Sequence, residues 1–157
     1  MKVKLICIGK TGKSFLQEGE KEYLGRVNHY IAVDKIEIPD LKQAKKLSME
    51  QIKEEEGRLF LSKINPSDVV ILLDERGEEY SSVSFSNFLQ KQMNTGVKII
   101  CILIGGAYGF SDEIYKRANR KVSLSKMTYS HQMVRMIFLE QLYRAMTILK
   151  GEPYHHE

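Results

Sequence analysis

Three short runs of this chain are apolar almost throughout, and they constrain its fold more than any other feature. Residues 3–8, 69–73 and 98–104 are rich in Val, Ile and Leu, and each runs into a turn signal: Gly9, Asp74 through Gly77, and Gly105-Gly106. Runs this short and this continuous suit strands buried on both faces. Stretches of helical composition separate them. Doubly buried strands alternating with helices specify an α/β fold, with a mainly parallel sheet flanked by helices.

The remaining elements follow from local signals. Ser14 is placed to cap a helix reaching about Asn28. Residues 31–38 alternate (Ile31, Val33, Ile36, Ile38) up to Pro39, which suits an edge strand. Residues 41–64 are charged and helical in composition, with Ala44, Leu47, Ile52, Leu59 and Phe60 as core contacts, and Asn65-Pro66 stops them. Residues 74–77 read as a turn closing the strand before them. A helix is expected over 84–94 with Gly96 as its stop. After the strand at 98–104 come a glycine turn at 105–109, a helix capped by Ser111, a short strand at 122–124, and a last helix over 131–150. Ser130 caps that helix and Gly151 ends it. The 157 residues form a single domain, 1–157, long enough to bury its own core.

Composition bounds the rest. A hydrophobic fraction of 43% argues against disorder, and a net charge of +4 is a mild bias toward polyanions. Cys7 and Cys101 each lie within an apolar run and read as buried, reduced thiols. No apolar run approaches membrane-spanning length, and the opening run is too short for a signal peptide, so a cytoplasmic protein is expected.

Two tempting motifs fail on spacing. Gly9 to Ser14 follows a strand and opens a helix like a phosphate-binding loop, with 69–75 as its magnesium-binding strand. Such a loop needs four residues between its first glycine and the Gly-Lys-Ser, and Cys7 stands where that glycine belongs. The Gly105-Gly106-Ala107-Tyr108-Gly109 turn has the wrong glycine order for a dinucleotide fingerprint, and Ser125 stands where the ribose-binding acid belongs. Paired glycines after a buried strand still allow a sharp turn with room for a planar ligand, or they form a plain turn. The polar loop 124–131 offers backbone amides and carbonyls to a heterocycle. Both segments follow strands, so both belong at the end of the sheet where α/β proteins bind ligands.

The last helix carries His131, Arg135, Glu140 and Arg144. His131 and Arg135 share a face, as do Glu140 and Arg144. Arg135 and Arg144 are nine residues apart, about half a turn in angle, and point opposite ways. Either one of them belongs to a surface ion pair, or two copies of the chain build the site together. The chain ends Pro153-Tyr154-His155-His156-Glu157, without the further ligands at defined spacing that a metal site needs.

Residue by residue, the sequence resembles the RlmH family, SPOUT-class methyltransferases acting on pseudouridine in bacterial 23S ribosomal RNA. The resemblance spans essentially the whole chain. It rests on the opening strand ending at Gly9, Leu73-Asp74 with Gly77, the Leu103-Ile104-Gly105-Gly106 turn with Gly109, and Leu124-Ser125-Lys126-Met127-Thr128. It continues through His131, Val134-Arg135, Glu140, Leu142-Tyr143-Arg144-Ala145 and Pro153-Tyr154-His155. It implies a C-terminal trefoil knot, S-adenosyl-L-methionine bound in that knot, and a homodimer. Carried over by position, cofactor contacts fall on Leu73, Gly105, Leu124, Ser125, Lys126, Met127, Thr128 and Tyr129. Many members end Tyr-His-Arg or Tyr-His-Lys; here His156 puts a titratable group in that place.

Methyl transfer to N3 of pseudouridine needs an in-line nucleophile and removal of an imide proton. Arg144 is the candidate for holding the developing carbonyl charge, and His131 or His155 for accepting the proton. His131 has an equally good bland reading, as a helix-start residue on backbone. Arg135, Tyr154 and His155 are the candidate substrate contacts. The expected partner is 23S rRNA on the assembled ribosome, with no membrane and no metal. The alternative is a non-catalytic ribosome- or RNA-binding module with a vestigial cofactor site.

Overall fold

The computed structural model describes residues 1–156. Its strands are β1 (Lys2–Ile8), β2 (Ala32–Ile38), β3 (Val69–Glu79), β4 (Ile99–Ile104) and β5 (Arg120–Ser123). Its helices are α1 (Ser14–Val27), α2 (Met49–Leu61), α3 (Ser82–Asn94), α4 (Asp112–Arg117) and α5 (Met133–Leu149). The strands form one sheet in the order β2-β1-β4-β3-β5, with every pairing parallel. The three apolar runs take the three central places, where both faces are covered, and the alternating run takes an edge.

Alternation along the central strands divides the interior into two cores. Leu5, Cys7, Ile71, Ile100 and Ile102 face one core, closed by Phe85 and Phe88 of α3 and Phe138 and Leu142 of α5. Ile6, Ile8, Val70, Leu72 and Leu103 face the other, closed by Phe60 of α2 and Ile114 of α4. Cys7 and Cys101 are free thiols in opposite cores, and burial pushes both up to about 12, so neither is a thiolate at neutral pH. Among the described residues no helix is long and apolar enough to cross a membrane.

Three elements depart from the sequence reading. Ser14 is the first residue of α1 rather than its cap; Lys13 holds the cap position without a side-chain bond. The 41–64 segment is not one helix. A short 3-10 turn (Ala44–Lys46) precedes α2, and Ser48 starts α2 through a reciprocal capping box with Gln51. The third departure shapes the functional end of the sheet. Residues 74–77 do not end β3; they bulge out of it. Leu73 and Glu78 both pair with Val122, and the strand resumes through Glu79. Gly77 makes this possible, since a Cβ there would lie 2.6 Å from the Lys121 carbonyl carbon.

One buried cation ties the last helix to the first strand. Arg135, in the first turn of α5, is 1% exposed. Its Nη2 donates to the Ile8 carbonyl at 2.6 Å, and its Nη1 donates to the Gly9 carbonyl at 2.9 Å and Thr11 Oγ1 at 3.2 Å. Its Nε donates to the His131 carbonyl at 3.3 Å, and the Glu37 carboxylate lies 3.6 Å from Nη1. Parallel strands leave carbonyls pointing off their carboxyl ends, and here the guanidinium takes those of β1. Arg135→Ala should lower unfolding free energy by about 3 kcal/mol, because it strips charge-assisted bonds from buried carbonyls. Urea denaturation checks this; a loss under about 1 kcal/mol would mean that water replaces the guanidinium.

Candidate functional site

The bulge in β3, the turn after β4 and the loop after β5 leave the carboxyl ends of three adjacent strands. Together they wall a cleft of ≈ 620 Å³, within the range of small-molecule sites.

The first wall, the turn after β4, is built largely of glycine. Gly109 has φ +83°, and its amide donates to the Gly106 carbonyl at 3.1 Å, so residues 106–109 fold back on themselves. A Cβ on Gly105 would come within 3.3 Å of the Phe110 ring, and one on Gly106 within 2.7 Å of Glu56 Oε2. Only glycine lets this backbone lie so close to its supports, which leaves its cleft side open to a ligand.

The second wall is the β3 bulge, which brings Asp74, Glu75 and Arg76 to the cleft. Asp74 accepts from the Tyr115 hydroxyl at 2.5 Å and from the Arg76 amide at 2.9 Å. Burial pushes its carboxyl up, but these two bonds and the charges of Arg76 and Lys121 outweigh burial and hold it below the usual carboxylate value. A negative charge is therefore fixed in the cleft at neutral pH. Glu75 accepts from Thr128 Oγ1 at 2.5 Å and so links the second wall to the third.

The third wall is the loop from Leu124 to His131. Ser125 Oγ accepts from the Met127 amide at 2.9 Å, and its carbonyl accepts from Ser123 Oγ at 2.8 Å. Ser130 Oγ accepts from the Met133 amide at 3.1 Å, but it is not the cap expected of it: regular helix begins only at Met133, and Gln132 holds the cap position without a side-chain bond. Gln132 anchors the loop from behind, accepting from the Gly12 amide at 2.8 Å and donating to the Lys10 carbonyl at 3.3 Å. With Thr11's amide on Glu37 at 3.0 Å, two central amides of the Gly9–Ser14 turn are committed to side chains. Tyr108, on the turn after β4, and Met127 and Tyr129, on the loop after β5, are large, exposed side chains among the cleft residues.

The structure brings together most of the residues expected at a cofactor site: Leu73, Gly105, Leu124, Ser125, Met127, Thr128 and Tyr129 line the cleft, as does His131. Lys126 does not. Its side chain is 83% exposed and turns toward Glu79, 3.8 Å away, because the bond between Ser125 and Met127 throws residue 126 outward. Arg135 is also corrected. It is spent on β1 carbonyls inside the protein and is not available to a substrate. The sequence reading places the 105–109 turn at the ligand end but names only Gly105 of it as a contact, and it does not name Asp74, Tyr115 or Phe110, which also line the cleft. An acidic residue at the end of a doubly buried strand was the available signal for Asp74; no sequence signal marked Tyr115.

Arg144, Tyr154 and His155 form a separate cluster at the other end of α5. Arg144 Nη2 donates to Glu140 Oε1 at 2.5 Å, the i,i+4 pair read from the sequence, and Tyr154 donates to the same oxygen at 3.0 Å. Arg144 Nη1 lies 3.2 Å from His155 Nδ1; a guanidinium only donates, so Nδ1 accepts. The guanidinium also sits 4.7 Å over the Tyr154 ring, whose other neighbour is Tyr143 at 4.6 Å between centroids. The tail thus packs on α5 up to His155. From His131 to Arg144 is thirteen residues, about 20 Å along a helix, so the cleft and this cluster do not meet within one chain. Among the described residues no group of three or more metal-ligating side chains occurs.

An all-parallel α/β sheet with a backbone-lined cleft over three strand ends, sized for a heterocycle, defines a class: enzymes that hold a nucleoside-like cofactor. Comparison with known proteins narrows it. The family model described as a predicted SPOUT methyltransferase matches residues 1–155. The ribosomal RNA large subunit methyltransferase H of Christiangramia forsetii is 58% identical over 156 residues, covering 99% of each chain. That of Flavobacterium johnsoniae is 57% identical over 157 residues, the full length of both. The solved SpoU methyltransferase AviRb of Streptomyces viridochromogenes overlays with a TM-score of 0.44 at 12% identity, covering 97% of this chain and 59% of that one, too distant to bear on function. The chain belongs to the SPOUT methyltransferase family, alongside the large-subunit methyltransferase H proteins, and is a methyltransferase.

Asp74 gives a prediction with a definite sign. A carboxyl held below its unfolded value adds stability above that value, 3.8, and loses it as pH falls through the lower folded value. Tyr115→Phe should cost about 1.5 kcal/mol at neutral pH, and the deficit should shrink once the pH is well below 3.8. Paired urea titrations at the two pH values measure it; an equal deficit at both would assign the loss to packing.

Proposed function

We propose that this protein transfers the methyl group of S-adenosylmethionine to N3 of a pseudouridine in 23S ribosomal RNA, acting on the assembled ribosome in the cytoplasm. The observation that carries the reading is the cleft itself, with glycine backbone on one wall, exposed aromatic and thioether side chains beside it, and a fixed carboxylate. The residues fit the cofactor. A purine and ribose can lie along the 105–109 backbone and the 124–129 loop, and Asp74 and Glu75 offset the cation that the donor carries. The relatives' printed name, ribosomal RNA large subunit methyltransferase H, supports RNA as the acceptor. The knot implied by the resemblance would run through these same segments.

S-adenosylmethionine supplies an activated methyl on a sulfonium. This chain has then to place the acceptor nitrogen in line, take its proton, and stabilise charge spreading onto the flanking carbonyls. Arg144 is suited to the last task, since Glu140 and Tyr154 fix its guanidinium. His131 stands at the cleft and His155 beside Arg144, and either takes the proton directly or through water. The 20 Å between the two clusters supports a homodimer in which the tail and Arg144 of one subunit complete the cleft of the other. The salt dependence of RNA binding should be steep where phosphates dominate.

Titration calorimetry should detect S-adenosylmethionine binding to the wild-type protein, and its absence would sink the enzymatic reading in favour of a ribosome-binding module. Arg144→Ala should keep cofactor affinity within about twofold and lower methylation at least ~100-fold, as loss of an oxyanion-type contact does. Deleting residues 153–157 should abolish methylation while sparing cofactor affinity. Loss of affinity and of dimer together, read by sedimentation, would make the tail structural.

A further inference from the structure

Glu56 is a buried carboxyl that the proposed chemistry does not use. It lies on α2, is 7% exposed, and its Oε1 is buried without a hydrogen-bond partner. Its Oε2 stands 2.7 Å from where a Cβ of Gly106 would be, so the carboxyl presses on the glycine turn from the side away from the cleft. The residue after it is equally confined, since a Cβ on Gly57 would come within 2.6 Å of Ser111 Oγ, at the head of α4. Helix α2 thus packs closely on the head of α4, and this contact keeps the Glu56 carboxyl beside Gly106.

The charges around this carboxyl are few. From the loop after β2, Asp40 faces it, itself pressed on Gly9. From its own helix, Lys53 is paired with Glu50 at 2.8 Å. The turn after β4 and the head of α4 offer the neutral groups Gly106 and Ser111. Burial, and after it the charge of Asp40, push the Glu56 carboxyl up to about 7. A proton on Glu56 therefore spares the structure a buried negative charge beside the exposed carboxylate of Asp40.

We infer that Glu56 is a positioning residue for the 105–109 turn, holding it closed when neutral and loosening it when ionised, so that methyl-donor binding weakens as pH rises toward neutrality. The donor part rests on the function proposed above; the effect on the turn does not. The sign follows from linkage. With the turn open the carboxyl is solvated and ionises near its ordinary value, 4.5; with the turn closed it ionises near 7. Opening therefore grows between those values, by up to about tenfold per pH unit, and levels off above them.

Hydrogen exchange of the 105–109 amides, corrected for intrinsic rate and followed across about pH 5 to 8, reads the turn without any cofactor. The wild-type protein should show opening that climbs and then levels off. Glu56→Gln, neutral at every pH, should stay flat at the wild-type acid limit. Asp40→Asn, which leaves Glu56 in place, should keep the onset of the rise but make it level off at lower pH and smaller amplitude. Calorimetry with S-adenosylmethionine should follow the same profile in all three proteins. A pH-independent wild-type turn, or a rise that survives in Glu56→Gln, overturns the role of Glu56. A donor that binds equally at all pH values while the turn responds overturns its coupling to the cleft. No donor binding at any pH, with the exchange profile as expected, overturns the methyltransferase cofactor reading and leaves the action of Glu56 on the turn standing.

Discussion

The arrangement depends on a guanidinium seated on the open carbonyls of a parallel strand. β1 is central, so its carboxyl end is crowded and poorly hydrated, and unpaired carbonyls there would be costly. Arg135 supplies donors to the Ile8 and Gly9 carbonyls and, through Nε, to the His131 carbonyl in its own helix. A burial this complete needs a nearby anion, and Glu37 on the neighbouring edge strand provides it. The consequence is geometric. The start of α5 is fixed to β1, Gln132 adds a second tie to the turn after β1, and the loop before them is held across the sheet end. The third wall of the cleft owes its position to contacts on the side of the helix away from the ligand.

That arrangement explains what could be read from the sequence and what could not. The continuous runs at 3–8, 69–73 and 98–104 declared central parallel strands, because only strands covered on both faces tolerate so little polarity. The cleft loops were legible for the same reason: a ligand site on such a sheet belongs at the carboxyl ends. The bulge at 74–77 was not legible. An Asp-Glu-Arg-Gly stretch is good turn chemistry, and only the backbone of Lys121 and Val122, distant in sequence, reveals that Gly77 serves a bulge instead. The start of α2 was legible and overlooked, since Ser48 and Gln51 carry the capping-box spacing. Nine residues of helix put Arg135 and Arg144 on opposite faces, but angle alone does not say which of two opposed arginines is buried. That depended on β1 ending beneath α5.

The two ends of α5 hold their arginines by opposite means, and the difference bears on chemistry. Arg135 is enclosed by carbonyls that cannot move without unfolding β1, so it acts as a structural clamp. Arg144 is held by side chains: the Glu140 carboxylate, the Tyr154 ring and the His155 imidazole. Two of those three partners, Tyr154 and His155, belong to the C-terminal tail packed on α5. Glu140 meanwhile receives a second bond, from Tyr154, which fixes the carboxylate and through it the guanidinium. A guanidinium restrained in this way loses little freedom on meeting a carbonyl that gathers charge, and that preorganisation is what transition-state stabilisation requires. On the proposed reading, the buried end of the helix shapes the cofactor cleft and the end restrained by side chains meets the acceptor. On the proposed dimeric reading, one helix serves two sites: its first turn shapes the cleft of its own chain, and its last turns present Arg144 to the cleft of the partner.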